Sequence, residues 1–320
     1  MIVSRRQFDE ELEQVRRDVR EPAHGLFGPD SVTWRISRDA LVFVGAGRAA
    51  LLQLAHPYVA HAIEQHSETR RDPIGRFNRT FLHVFGMIFG DLETALSSAR
   101  RVRAVHDRVN GALDEHAGRF PEGHRYHAND EAALRWVFAT LVETSVMAFE
   151  MGFGPLPAED RESYYRELSR FARLFGLRAE ALPPDWRAFT DYVARTVASD
   201  EIAVGRRARE IGGFLLSAPS APMAPVMSWY TSFTAGMLPP RVREGYGLSY
   251  SRADALVYEA SVRALRLGWR RLPLRLRLRP EYVEARRRIE GRPRSDRVGR
   301  ALQDVVLAAV RPRAAEYSRG

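Results

Sequence analysis

Apolar positions recur every three or four residues along almost the whole chain, the spacing that places them on one helix face. Glu10 to Arg20 predicts a short polar helix that ends before Pro22. Trp34 to Ala55 is mostly apolar and predicts a buried helix stopping at His56-Pro57, because proline lacks the N–H a helix interior needs. Ile74 to Phe89 is rich in aromatic residues, and Gly90-Asp91 breaks it and caps the next helix. That helix, Leu92 to Val109, sets Leu96, Ala99, Val102, His106 and Val109 on one stripe. Further helices are predicted over Glu131–Phe153 behind an Asn129-Asp130 cap, from Ala158 to Phe175, from Pro183 to about Ala198, from Ser199, over Pro222–Met237 and over Arg252–Trp269. Only Leu272 to Leu278 alternates at the strand period. Short connections and no repeat or flexible linker point to one all-α domain.

Composition then removes much chemistry. All 49 basic residues are arginine, and cysteine is absent. No lysine means no Schiff base and no P-loop lysine. No cysteine means no thiolate nucleophile, no iron–sulfur cluster and no thiolate-ligated or covalently attached c-type haem. Histidine, carboxylate, hydroxyl and arginine chemistry remain, or a cofactor that brings its own. The net charge of +9 resides in the tail, where residues 241–320 hold 20 arginines against 9 acids and residues 1–240 hold 29 against 31. No DNA- or RNA-binding motif accompanies it, so a solvated arginine-rich surface is expected and no nucleic-acid partner. With no signal peptide over Met1–Arg20 and no uninterrupted apolar stretch near the roughly 20 residues of a span, the cytoplasm is the expected location.

Two patterns invite a chemical reading. Ala40–Val44 followed by Gly45-Ala46-Gly47-Arg48-Ala49-Ala50 fits a dinucleotide fingerprint, with Glu64 about twenty residues on. No β–α alternation follows, so close helix packing through the two glycines is the better explanation. The histidines are the second pattern. His61 and His66 are five apart and face different ways; His124 and His127 lie in a Pro/Gly-bounded loop and read as a solvated pair. His106 differs by lying on an apolar stripe, either as a core histidine or as the single neutral imidazole that a b-type haem iron needs. Arg76 and Thr80 share one face of the preceding helix, beside Arg79.

The run Gly45 to Pro57 resembles the opening signature of the MpaB-like oxygenases, the family that includes latex clearing protein, or rubber oxygenase. Similar segments follow in order: His66-Ser67 to Thr80, Phe89-Gly90-Asp91 to His106, Trp136 to Val142, and Leu238-Pro239-Pro240 to Leu248. The resemblance spans roughly residues 30–250. It implies a globin-like helical domain with a buried haem b pocket, flanked by a helical extension over 1–29 and a basic helical extension over 251–320. It implies His106 as the axial iron ligand, Arg76, Arg79 and Thr80 as haem-pocket residues, and Glu64 or His66 as the distal catalytic group, with Thr80 contributing a hydroxyl. A small hydrophobic, isoprenoid- or polyketide-like substrate and dioxygen are the implied partners, with the basic tail free to meet an anionic membrane. A haem-binding sensor or carrier is the alternative. Two departures stand out: Arg79 replaces the family's lysine, and Phe138 replaces a histidine found in many relatives.

Overall fold

The computed structural model describes residues 1–66, 82–292 and 294–309. It is about 70% helix and 4% strand, so the all-α class is observed. Helix α1 (Arg5–Asp18) leads to α2 (Val32–Ser37), α3 (Ala46–Leu54) and α4 (Pro57–His66). Residues 82–89 are helical, and α5 (Leu92–His106) follows. A two-stranded antiparallel hairpin, β1 (Asn110–Ala112) and β2 (Arg125–His127), separates α5 from α6 (Glu131–Phe153). Next come α7 (Ala158–Arg173), α8 (Trp186–Ala198), α9 (Arg206–Leu216), α10 (Ala224–Met237), α11 (Pro240–Gly245) and α12 (Arg252–Gly268).

Helix α6 is the axis of the fold. Asp130 caps it by accepting from Ala133 N, and its faces pack against α3, α7, α12 and the 3-10 turn Ala40–Gly45. By length and composition it could cross a membrane. Here its apolar character reflects burial on several sides, with Trp136, Ala139, Val142 and Val146 in the main core. Trp136 Nε1 donates to Leu52 O at 2.8 Å, and Trp34 Nε1 to Ile88 O at 2.9 Å, so both indoles enter the core with their polar atom satisfied. The N-terminal segment joins the same core through Val3, Phe8, Leu12 and Val15.

The glycine-rich run is a packing device. Ala40–Gly45 is a 3-10 turn, and Asp39 caps it. A Cβ on Gly45 would lie 2.4 Å from Thr144 Cγ2, and one on Gly47 would lie 2.8 Å from Thr234 Oγ1. The glycines therefore let α3 approach α6 and α10. Between them Arg48, 2% exposed, donates to Met237 O, Thr144 Oγ1 and Glu143 Oε2, so each nitrogen of the buried guanidinium has a partner.

Four expectations are corrected. Trp34–Ala55 is not continuous but breaks into α2, the 3-10 turn and α3, because Asp39 caps a new start. The segment after Ser199 becomes helical only at Arg206, where Glu115 accepts from the first backbone N–H groups of α9. Leu272–Leu278 is not a strand: Leu274–Arg277 form one helical turn, and only an isolated bridge joins Leu278 to Asp39. Burial there runs against polarity, for Leu274 and Leu276 are exposed while Arg277 and Arg279 are buried. Arg277 pairs with Asp39 and Arg279 with Glu281, which gives each buried charge its counter-ion. Finally, His124 and His127 do not form a solvated loop pair. His127 sits on β2, and Tyr58 Oη lies 2.7 Å from His124 Nε2.

Candidate functional site

His106 closes α5, a helix whose start is fixed by Asp91 accepting from Thr94 N. Beyond it the chain turns into β1, and the hairpin register sets Asn110 opposite His127. The turn after β2 thereby reaches the end of α5. Asn129, 1% exposed, donates from Nδ2 to Asp107 Oδ1 at 2.9 Å, and its amide acts on the His106 imidazole to favour the charged form. Arg103 Nε holds the same Asp107 oxygen at 2.6 Å while its Nη2 donates to Val3 O. The end of α5 beside His106 is thus tied to the turn after β2 and to the N-terminal segment through Asp107, Asn129 and Arg103.

His106 also lines a cavity of about 150 Å³ with Tyr58, His127, Val137, Phe138 and Leu141 among its walls. His106 keeps partial solvent-accessible surface and borders this chamber. Burial pushes its imidazole down to about 4, reinforced by the Arg103 charge and opposed by Asn129 and Asp107. At neutral pH the ring is therefore uncharged and able to offer a lone pair. His127 has a different role. Its Nδ1 accepts from Asn129 N at 3.0 Å, which places the proton of the neutral ring on Nε2 and makes it a donor. A second chamber of about 70 Å³ reaches Val84, Phe85 and Tyr164, and the two share Phe138, Leu141 and Phe171 as a common wall.

The other candidates fall elsewhere. Tyr58, Val59 and Ala62 turn one face of α4 to the cavity, whereas Glu64 and His66 are not on its lining. Glu64 approaches Arg207 at 3.6 Å, and exposed His66 donates from Nε2 to Asn110 O at 2.9 Å. Arg76, Arg79 and Thr80 lie outside the described residues. His56 is 1% exposed, and burial holds its imidazole down to about 4 among the rings of Tyr58 and Phe120. Sequence reasoning missed Asn129 and His127, which only the hairpin register brings to His106. It also missed a convergence of His61, Asp114 and Glu115, far apart in sequence but joined by α4, the turn after β1 and the start of α9. In that group Arg207 holds the Asp114 carboxyl well below the usual carboxylate range.

With this geometry in place, the family model described as ER-bound oxygenase mpaB/B′/rubber oxygenase, catalytic domain, matches residues 34–267. The chain belongs to this mpaB/rubber oxygenase family. The stretch matched to the family's catalytic domain contains His106, Asn129 and both chambers, while Arg277 and Arg279 lie beyond it. Among curated proteins the chain is similar to the uncharacterized proteins Mb2261 of Mycobacterium bovis and Rv2237 of Mycobacterium tuberculosis. Each is 28% identical over 151 residues, 47% of this chain and 59% of the relative. The chain thus spans rather more than half the length of these relatives. No solved structure matches it.

Proposed function

We propose that this oxygenase-family chain is a haem b-dependent oxygenase acting on a small hydrophobic, isoprenoid- or polyketide-like substrate, with His106 as the axial ligand. The observation that carries the reading is a neutral histidine, His106, on the lining of an apolar cavity in an all-helical fold, a globin-like use of one histidine.

The donor set fits the cofactor. Asn129 behind the ring is the kind of partner that fixes a ligating imidazole's orientation. The walls are largely aliphatic and aromatic. Arg279, 2% exposed, lies over the rings of Phe43 and Phe85, and Phe85 borders the second chamber. Its buried Nη1 has no hydrogen-bond partner among the described residues, which suits a carboxylate such as a propionate. A porphyrin is larger than either chamber alone, and the two adjoin at Phe138, Leu141 and Phe171. When bound, haem supplies the redox and dioxygen chemistry. The chain's own part is to hold the axial imidazole, exclude water, and orient an apolar substrate. With Glu64 and His66 outside the cavity, Tyr58 and His127 are the lining residues besides His106 whose side chains carry a polar hydrogen.

Oxygen-isotope labelling tests the reaction. Haem-loaded protein given ¹⁸O₂, an electron source and a panel of terpenoids and polyketides is expected to transfer label into a product. Haem-loaded protein that takes up no substrate-dependent oxygen with any of them is a carrier or sensor, and the oxygenase reading falls.

A lipid surface is the second proposed partner. Leu267, Leu272, Leu274 and Leu276 are exposed among exposed Arg263, Arg266, Arg270, Arg271 and Arg275, an apolar and basic surface suited to anionic headgroups. Co-sedimentation with phosphatidylserine vesicles and not with phosphatidylcholine vesicles is expected. Equal partition to both, or to neither, refutes the contact.

A further inference from the structure

The convergence at His61 lies apart from the cavity and has a chemistry of its own. His61 is 1% exposed, and its Nδ1 sits 2.8 Å from Pro57 O. A carbonyl can only accept, so the ring's proton in its neutral form lies on Nδ1. Nε2 is then left with a lone pair, aimed at Asp114 Oδ1 at 3.0 Å and Glu115 Oε1 at 3.8 Å. Asp114 is an acceptor as well, since Arg206 and Arg207 both donate to its Oδ2 and favour the ionised form. Three acceptor atoms therefore face one another, and a cation or an extra proton has to lie among them.

Several features favour a metal over a proton. The arginines take Asp114 through Oδ2 and leave Oδ1 turned to His61. Glu115 has no arginine counter-ion among the described residues; it accepts the backbone N–H groups of Arg206 and Arg207. Its side chain is only 15% exposed, so an uncompensated charge there is costly. Ligand bonds of about 2.1 Å put neighbouring donor atoms about 3–4 Å apart, the separations seen around His61. A ligating histidine also commonly donates its other N–H to a carbonyl, as Nδ1 does here.

We propose that His61, Asp114 and Glu115 form a second site that binds one divalent transition-metal cation. One imidazole with two carboxylates suits zinc or manganese. The ion ties α4 to the turn after β1 and, through Glu115, to the first turn of α9. It is a fastening outside the apolar cavity and does not depend on haem.

The test titrates zinc into chelator-treated, haem-free full chain by calorimetry, with the unfolding temperature followed in parallel. Wild type is expected to bind one equivalent at this site and to unfold at higher temperature with zinc present. Asp114→Asn and Glu115→Gln are each expected to weaken this binding by about tenfold or more. His106→Ala is expected to retain it, which separates this site from the cavity histidine. Because buried His61 also supports packing, the two carboxylate variants, checked for native circular dichroism, are the decisive ones. A wild type with no saturable zinc binding overturns the proposal, as do native carboxylate variants that bind as tightly as wild type.

Discussion

A His106→Ala variant, produced beside wild type with haem supplied, is expected to retain about tenfold less haem or worse, and to lose its haem-dependent oxygen uptake with it. Alanine removes the lone pair but little of the framework, since His106 is the last residue of α5 and the neighbouring tie from Arg103 to Val3 does not pass through its ring. The fold should therefore survive, and native circular dichroism confirms that condition. Asn129→Leu separates holding the imidazole from being it. Leucine leaves His106 in place but removes the amide that acts on its ring and the donor to Asp107. Haem affinity is expected to fall by about 10–100-fold, short of complete loss. Haem retained at wild-type levels by His106→Ala, with an unchanged absorption spectrum, would move the ligand elsewhere.

The largest effect on stability is expected from Glu143→Ala. Arg48 is 3% exposed at its side chain, and Glu143, 29% exposed, is its carboxylate partner at 2.6 Å. Truncation leaves a buried guanidinium with Thr144 and Met237 as neutral partners only. Removing one member of a buried pair costs about 3–5 kcal/mol, and the partial exposure of Glu143 places this case near about 3 kcal/mol. The unfolding temperature should fall by roughly 4–5 °C for a chain of 320 residues. Replacing both members, as Arg48→Met with Glu143→Leu, removes the stranded charge and should recover part of the loss. A fall under about 2 °C for Glu143→Ala would show that water already compensates Arg48.

Helix positions were readable in the sequence wherever one amphipathic face decided them. The stripe through Leu96, Ala99 and His106 is local, needing only the helical repeat, and it ends close to where the periodicity predicts. The glycine-rich run was readable as packing for a similar reason: two small residues on one turn have few other uses without β–α alternation. What surrounds His106 was not readable. Asn129 reaches it only because Asn110 pairs with His127, and strands of three residues leave too short an alternation to detect. The Leu272–Leu278 segment shows the opposite failure. Its alternation predicts a strand with leucines inward, yet Asp39 and Glu281 draw Arg277 and Arg279 inward instead. For Arg277 a partner distant in sequence overrode the local pattern, just as residues distant in sequence join His61 to Asp114 and Glu115.

The proposed chemistry turns on His106 presenting its imidazole to a haem in the apolar chamber. Titration of haemin into the haem-free wild-type chain, followed by absorption at the Soret band, is the sharpest check on that step. Saturation at one equivalent is expected, with the spectrum of an imidazole-ligated haem that is lost in His106→Ala. A wild type that shows no saturable Soret change, or whose titration His106→Ala reproduces, contradicts it.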